Sequence, residues 1–314
     1  QSSVYFKNAF RFESKDETWN LRLSTPLEFK SFHLEDDNFE DSRNLDRLVF
    51  EPNFYVRKKI SAFWEANASA GLIYNFGEIQ QLYYGFLLKG YRNLNRYNAP
   101  ISEEQKQNYS GGLRYRNPLK QLFLNASYSY AYSENNLLYS SNIGENGTTI
   151  LEAVARNNSF DNHSFKAGGS KYLRKLKTTL KLNASYNLSN RQQLLNNTLA
   201  EVNTQNLNLR GSLEADIWSW LIANYSSNFS TYTSGFEGNN FQKIETHQHI
   251  MELYFYPKDN QYLSLSGEYY GNSLSENGDN YFVNLGYQFT FKKPKMDLNL
   301  SWRNILNTDT FINA

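Results

Sequence analysis

The chain has no cysteine, which excludes a disulfide framework, thiolate chemistry and any Cys-ligated metal site. Methionine and proline are scarce, at two and six in 314 residues. No apolar run approaches the ~20 residues that a membrane-spanning helix needs, and mean hydropathy is −0.68. That excludes helical spans and nothing more. In a membrane barrel only alternate residues of a strand face lipid, so mean hydropathy stays low. Charge of one sign is also missing: 32 Lys and Arg against 31 Asp and Glu leave +1, so no field favours nucleic acid. No local grouping of Ser, His and Asp suggests a nucleophile with its base, and nothing implies a cofactor. The reading is of a non-enzyme. The chain starts at Gln1 without a charged-then-apolar leader, so a mature product or a fragment is expected.

Aromatic residues are abundant, at 16% with 24 Tyr and 22 Phe, and both favour strands and membrane interfaces. They fall into a period-two pattern. Leu180, Leu182, Ala184, Tyr186 and Leu188 alternate with Thr179, Lys181, Asn183, Ser185 and Asn187. Leu207, Leu209, Gly211, Leu213, Ala215 and Ile217 alternate with Asn206, Asn208, Arg210, Ser212, Glu214 and Asp216. Segments from Leu122, Leu263 and Tyr281 repeat the pattern, with Phe282 alone breaking the polar side of the last. Successive strand side chains point to opposite faces, so each segment has one apolar and one polar face.

A soluble β-sandwich also alternates. Three features favour a transmembrane antiparallel β-barrel. Most segments run ten residues or more, against a usual length of about five or six. The polar faces carry Lys181, Arg210, Glu214 and Asp216, which suit a wet lumen. Tyr and Phe gather near segment ends, as aromatic girdles require.

Connections fall into two classes. The short ones lie at 14–17, 57–59, 117–120, 174–177, 218–220, 257–260 and 292–295 and mostly carry Lys, Arg or Pro. The long ones, at 34–46, 140–161, 190–204, 233–241 and 272–279, are rich in Asn, Ser, Glu and Gly. Outer-membrane barrels have short periplasmic turns and longer extracellular loops. The classes alternate if 77–106 is one extracellular excursion, although Tyr83 to Tyr91 looks strand-like. The strands expected are 4–13, 19–33, 47–56, 60–72, 107–116, 121–139, 162–172, 178–189, 205–216, 221–232, 242–256, 262–271, 280–291 and 296–305, fourteen in all. The first runs down and the last up, so 1–314 is expected to be a slice of one larger barrel domain, with first strands and a final strand outside it.

The run Asp297 to Asn307, Asp-Leu-Asn-Leu-Ser-Trp-Arg-Asn-Ile-Leu-Asn, resembles the segment ending in Asn-Leu-Phe-Asn near the C-terminus of the TonB-dependent receptor superfamily, in the form common in Bacteroidetes-like bacteria. Ile305 and Leu306 stand where Leu-Phe is usual. Gly90 to Arg96 and Asn108 to Lys120 resemble an extracellular excursion and descending strand of the same group. The resemblance implies an outer-membrane importer of a nutrient such as a metal chelate, a glycan or a peptide. It also implies a barrel of about 22 strands with a plugged lumen, in which this chain begins near the eighth strand. The implied partners are outer-membrane lipid and lipopolysaccharide, the plug domain and remaining strands, TonB through the N-terminal part, and a surface lipoprotein. The rival reading is a non-transporting barrel that anchors a surface complex.

Candidate lumen- or plug-facing residues are Lys181, Arg210, Glu214, Asp216 and Arg303. Candidate extracellular contacts are Glu35, Asp36, Asp37, Tyr91 and Arg92. The acidic run continues through Glu40, Asp41 and Asp46, but without the Gly and spacing of a calcium loop it reads as a solvated loop. His247 and His249 share a strand face, which continues as Met251, Leu253 and Phe255, so they read as an interfacial pair rather than a metal site. The acceptor-like Asn67-Ala-Ser and Asn125-Ala-Ser read as chance matches.

Overall fold

The computed structural model describes residues 2–6, 8–14, 17–36, 41–77, 85–97, 99–144, 146–195, 198–236, 239–274 and 279–308. Three long strands open the chain, each interrupted once at the same level. β1 (Ser2–Phe6) leads into β2 (Ala9–Glu13), β3 (Trp19–Ser24) into β4 (Leu27–Asp36), and β5 (Asp41–Phe50) into β6 (Asn53–Lys59). Register is kept across the gaps: Ser24 faces Asn53, and Leu27 faces Phe50. Pro26 and Pro52 sit in two of the gaps, where they give no N–H to the ladder. Their carbonyls still accept from the Glu51 and Leu72 N–H groups, at 3.1 and 3.0 Å.

The chain continues with β7 (Trp64–Phe76), the short β8 (Phe86–Gly90) and β9 (Asn93–Arg96), then β10 (Glu103–Asn117), β11 (Leu122–Ile143) and β12 (Thr149–Leu173). After one 3-10 turn, Arg174–Leu176, come β13 (Thr178–Leu195), β14 (Thr198–Trp218), β15 (Leu221–Phe236), β16 (Asn239–Lys258), β17 (Gln261–Asn272), β18 (Asn280–Phe291) and β19 (Met296–Trp302). β1, β4 and β5 form a three-stranded antiparallel sheet, and apart from the β8–β9 hairpin the other strands follow one another as antiparallel neighbours in a second sheet that runs from β2 to β19 along fourteen strands. The number matches the turn pattern. Among the described residues β2 and β19 do not pair with each other, so both are open edges.

Several boundaries differ from expectation, for one main reason. Most of 34–46, 140–161, 190–204 and 233–241 is strand rather than loop. The β11–β12 ladder continues to Ile143 opposite Thr149, and β13–β14 to Leu195 opposite Thr198. These extensions mix polar and apolar residues, with Leu137, Leu138, Ala153, Leu194 and Ala200 buried, so the backbone ladder persists where the regular hydropathic alternation ends. β7 lies four residues later than expected, because Arg57 to Lys59 belong to β6 and the turn is made by residues 60–63. β19 stops at Trp302, short of 305, and Asn304 then takes a left-handed conformation with φ 51°.

The 77–106 excursion holds the β8–β9 hairpin, and β9 runs parallel to Thr149–Glu152 of β12; residues 78–84 lie outside the description. Tyr97, Ala99, Leu137 and Ala153 form a buried cluster here, with Leu87 and Tyr139 against it. Burial pushes the Tyr139 phenol above its ordinary pKa, and Tyr97 adds to the shift. Leu137→Ala should remove about 2–5 kcal/mol from this packing. Limited proteolysis is expected to cut the excursion faster while the barrel keeps its heat-modifiable gel mobility.

Register fixes the two faces of the sheet. Leu124, Gly169, Leu182, Gly211, Ser227, His249, Tyr269 and Tyr281 form one continuous row across β11 to β18. Leu180, Leu207, Leu209, Leu263, Leu265, Leu285 and Tyr287 share its face. This face is exposed: Leu182 is 56% accessible and Leu209 41%. Leu265 and Tyr281 on the same face are likewise exposed, at 36% and 55%, so nothing among the described residues covers it. A sandwich would bury such a face, so the sandwich reading fails and the apolar side is the outside of a barrel wall. Aromatic rows border it. On the short-turn side Trp64 packs on Tyr115 and Trp218 on Trp220, with centroids 4.9 and 5.0 Å apart. On the other side Tyr130 packs on His163 and Tyr269 on Tyr281, at 4.7 and 5.0 Å.

Candidate functional site

Lys181, Asn183, Arg210 and Glu214 lie together on the face opposite Leu182, as the alternation requires. Lys181 Nζ donates to Glu214 Oε1 at 2.7 Å across β13 and β14. Their side chains are 45% and 52% accessible, so water screens the pair. Glu214→Gln should change stability by less than about 1 kcal/mol in denaturant titration of the assembled barrel. Arg210 and Asp216 join none of the ion pairs found among the described residues. Asp216 stands at a register shift, where its N–H donates to the Lys177 carbonyl. Arg303 follows the end of β19 and is exposed. Strands β13 and β14 thus gather four of the five candidates, and the fifth lies apart.

Sequence reasoning did not single out Arg114 on this face, and it placed Asn284 there without its partners. Arg114 faces Glu65 at 3.7 Å across β10 and β7. Asn284 Nδ2 donates to Ser266 Oγ and Glu268 Oε1, each at 3.1 Å. Their common signal is a polar residue on the side opposite the apolar one in an alternating run, which marks the face without marking the pair.

The loop-side candidates separate into two tips. Glu35 is exposed on β4 beside His33, with Nε2 to Oε2 at 3.7 Å. Asp36 faces Asp41 in the ladder, and Asp37 and Glu40 lie outside the described residues. Tyr91 is 88% accessible at the β8–β9 tip, and the Arg92 guanidinium lies 5.1 Å from its ring centre. His247 and His249 occupy the outer face. His247 packs on Phe229, with centroids 4.8 Å apart, and His249 Nδ1 lies 2.8 Å from the Tyr225 hydroxyl.

A polar cavity of about 560 Å³ opens where β7, β10, β11 and β12 rise above the aromatic row, lined by Tyr74, Phe76, Glu103, Tyr132, Glu134 and Asn158 among others. Arg47 holds Glu103 with two hydrogen bonds, Nε to Oε2 at 2.6 Å and Nη2 to Oε1 at 2.9 Å. Asn158 Nδ2 donates to the Leu137 carbonyl at 2.6 Å, bracing the register shift between Asn135 and Leu137. This recess was not legible because its residues come from stretches read partly as loop.

No family model and no curated protein sequence matches the chain. Solved structures do. The alcaligin outer-membrane receptor FauA of Bordetella pertussis aligns over 95% of this chain with a TM-score of 0.50 and 12% identity. The fold is that of outer-membrane β-barrels. The ferric-catecholate import receptor Fiu of E. coli K12, in its open form, aligns over 92% with a TM-score of 0.49 and 6% identity. The ferric yersiniabactin uptake receptor FyuA of Yersinia pestis aligns over 96%, with 0.46 and 10%. The chain spans about half the length of these structures, at 48%, 56% and 59%.

Proposed function

We propose that the chain is the larger part of the barrel of a TonB-dependent outer-membrane receptor that imports a scarce nutrient. The observation that carries this reading is the exposed apolar face of a fourteen-strand antiparallel sheet with open edges at β2 and β19. Such a face is stable in lipid, and such edges need further strands. The resemblance of Asp297 to Asn307 to the superfamily's C-terminal segment supports the same assignment. In this reading the short turns lie in the periplasm and the long hairpins outside the cell. The inner wall of Lys181, Arg210, Glu214 and Asp216 then meets a plug, and the recess beside Glu103 and Glu134 sits on the entry side.

The test is complex formation between the full-length protein in detergent and the purified periplasmic domain of TonB. A stable complex is expected. An assembled barrel that does not bind TonB would contradict import and favour a surface scaffold. Lumen charge should matter to plug retention: Arg210→Ala is expected to leave assembly intact and to raise the rate at which urea releases the plug, read by protease access.

A further inference from the structure

We propose that the outer face of β10 to β14 holds one anionic phospholipid, its headgroup at the short-turn rim and an acyl chain in a hollow above. This rests on the membrane placement of the barrel and not on transport.

Two independent features lie on one stripe of that face. The first is a cluster of cations from two neighbouring turns. Lys120 belongs to the turn between β10 and β11, and Arg174, Lys175 and Lys177 to the turn between β12 and β13. Lys171, on the outer face of β12, donates its ammonium to the Lys120 carbonyl and ties the turns together. None of these five side chains joins an ion pair among the described residues. Both turns also present exposed leucines, Leu119 at 83% and Leu176 at 66%. Unpaired cations beside apolar tips match an interface that carries negative charge.

The second feature is an apolar hollow of about 510 Å³ on the same face, lined by Gly111, Leu113, Ala126, Ala167, Ala184 and Leu207. It exists because Ala126, Ala167 and Ala184 face one another in successive strands, between Tyr128, Phe165 and Tyr186 on one side and Leu124, Gly169 and Leu182 on the other. Tyr128 and Phe165, with centroids 4.7 Å apart, close it on the far side from the cations. Lys171 and Ala167 are four residues apart on β12, or ~13 Å along a strand. A headgroup phosphodiester at Lys171 therefore places its acyl chain over Leu124 and Leu182 and into the hollow. Charge complementarity selects an anionic headgroup, and the apolar hollow selects a lipid over free phosphate.

The full-length protein reconstituted in equimolar phosphatidylglycerol and phosphatidylcholine, then stripped with detergent, gives the test by mass spectrometry of the retained lipid. The wild type should retain phosphatidylglycerol in excess, and 0.5 M salt should reduce that excess, with millimolar inorganic phosphate leaving it unchanged. The triple variant Lys171→Gln, Lys175→Gln, Lys177→Gln should lose it by roughly fivefold per cation removed. Ala167→Phe should lower retention with no change of charge. The single Lys175→Gln change, in an exposed turn, gives a graded loss if the triple variant does not assemble. An inserted, heat-modifiable barrel that retains both lipids equally, or a triple variant or Ala167→Phe that retains the wild-type excess, would overturn the site alone. A wild type that fails to insert would overturn the membrane placement with it.

Discussion

Leu182→Arg is expected to cost the assembled barrel ~2–4 kcal/mol if the position lies near the bilayer midplane. Leu182 is 56% accessible and stands between Gly169 and Gly211 in the outward row. Its side chain has no cross-strand neighbour of any size, so lipid is its main contact. A guanidinium there must be desolvated or must drag water into the bilayer. Lys181→Leu, one residue away, reverses the chemistry on the lumen side and removes only a screened ion pair, so its cost should be far smaller. Heat-modifiable gel mobility of the full-length protein in membranes reads both. Equal tolerance of the two changes would remove the face assignment.

The second large effect concerns closure. Residues 1–314 produced alone are expected not to give a closed, protease-resistant barrel. Among the described residues β2 pairs only with β3, and β19 only with β18. Each leaves a row of N–H and C=O groups without partners, and in hydrocarbon every such group costs several kcal/mol. Neither edge carries a proline or a bulge in its ladder that would blunt it. In the reading proposed here, further strands of the same protein pair with both. Isolated residues 1–314 that insert into outer-membrane mimetics as a protease-resistant barrel would contradict the slice and remove the main support for a 22-strand receptor.

The membrane-level wall was legible in the sequence because its two sides meet different solvents. Leu180, Leu182 and Ala184 against Lys181 and Asn183 record that difference residue by residue. The extensions above it were not legible. Ser189 bonds Thr204, and Asn190 bonds Glu201, while Leu194 and Ala200 are buried a few residues on, so no simple alternation marks these strands. The strand breaks at Pro26 and Pro52 passed unnoticed because register continues through them. Phe282, the one aromatic on the polar side of its strand, meets Tyr270 edge-on with centroids 6.0 Å apart, which no periodicity reports. For the candidate residues, strand parity placed Lys181, Arg210 and Glu214 on one face correctly. It says nothing of contacts between distant segments: Arg47 and Glu103 are 56 residues apart in sequence.

The central claim is that the even-numbered side of β13 faces lipid. The chain has no cysteine, so single cysteines at positions 180 to 187 of the full-length protein can each carry a fluorescent label in a clean background. Quenching by nitroxide-labelled lipid should alternate. Labels at 180, 182, 184 and 186 are predicted to be quenched strongly, and those at 181, 183, 185 and 187 weakly, whether or not a plug fills the lumen. Uniform quenching along the segment, or an alternation of the opposite phase, would contradict the account.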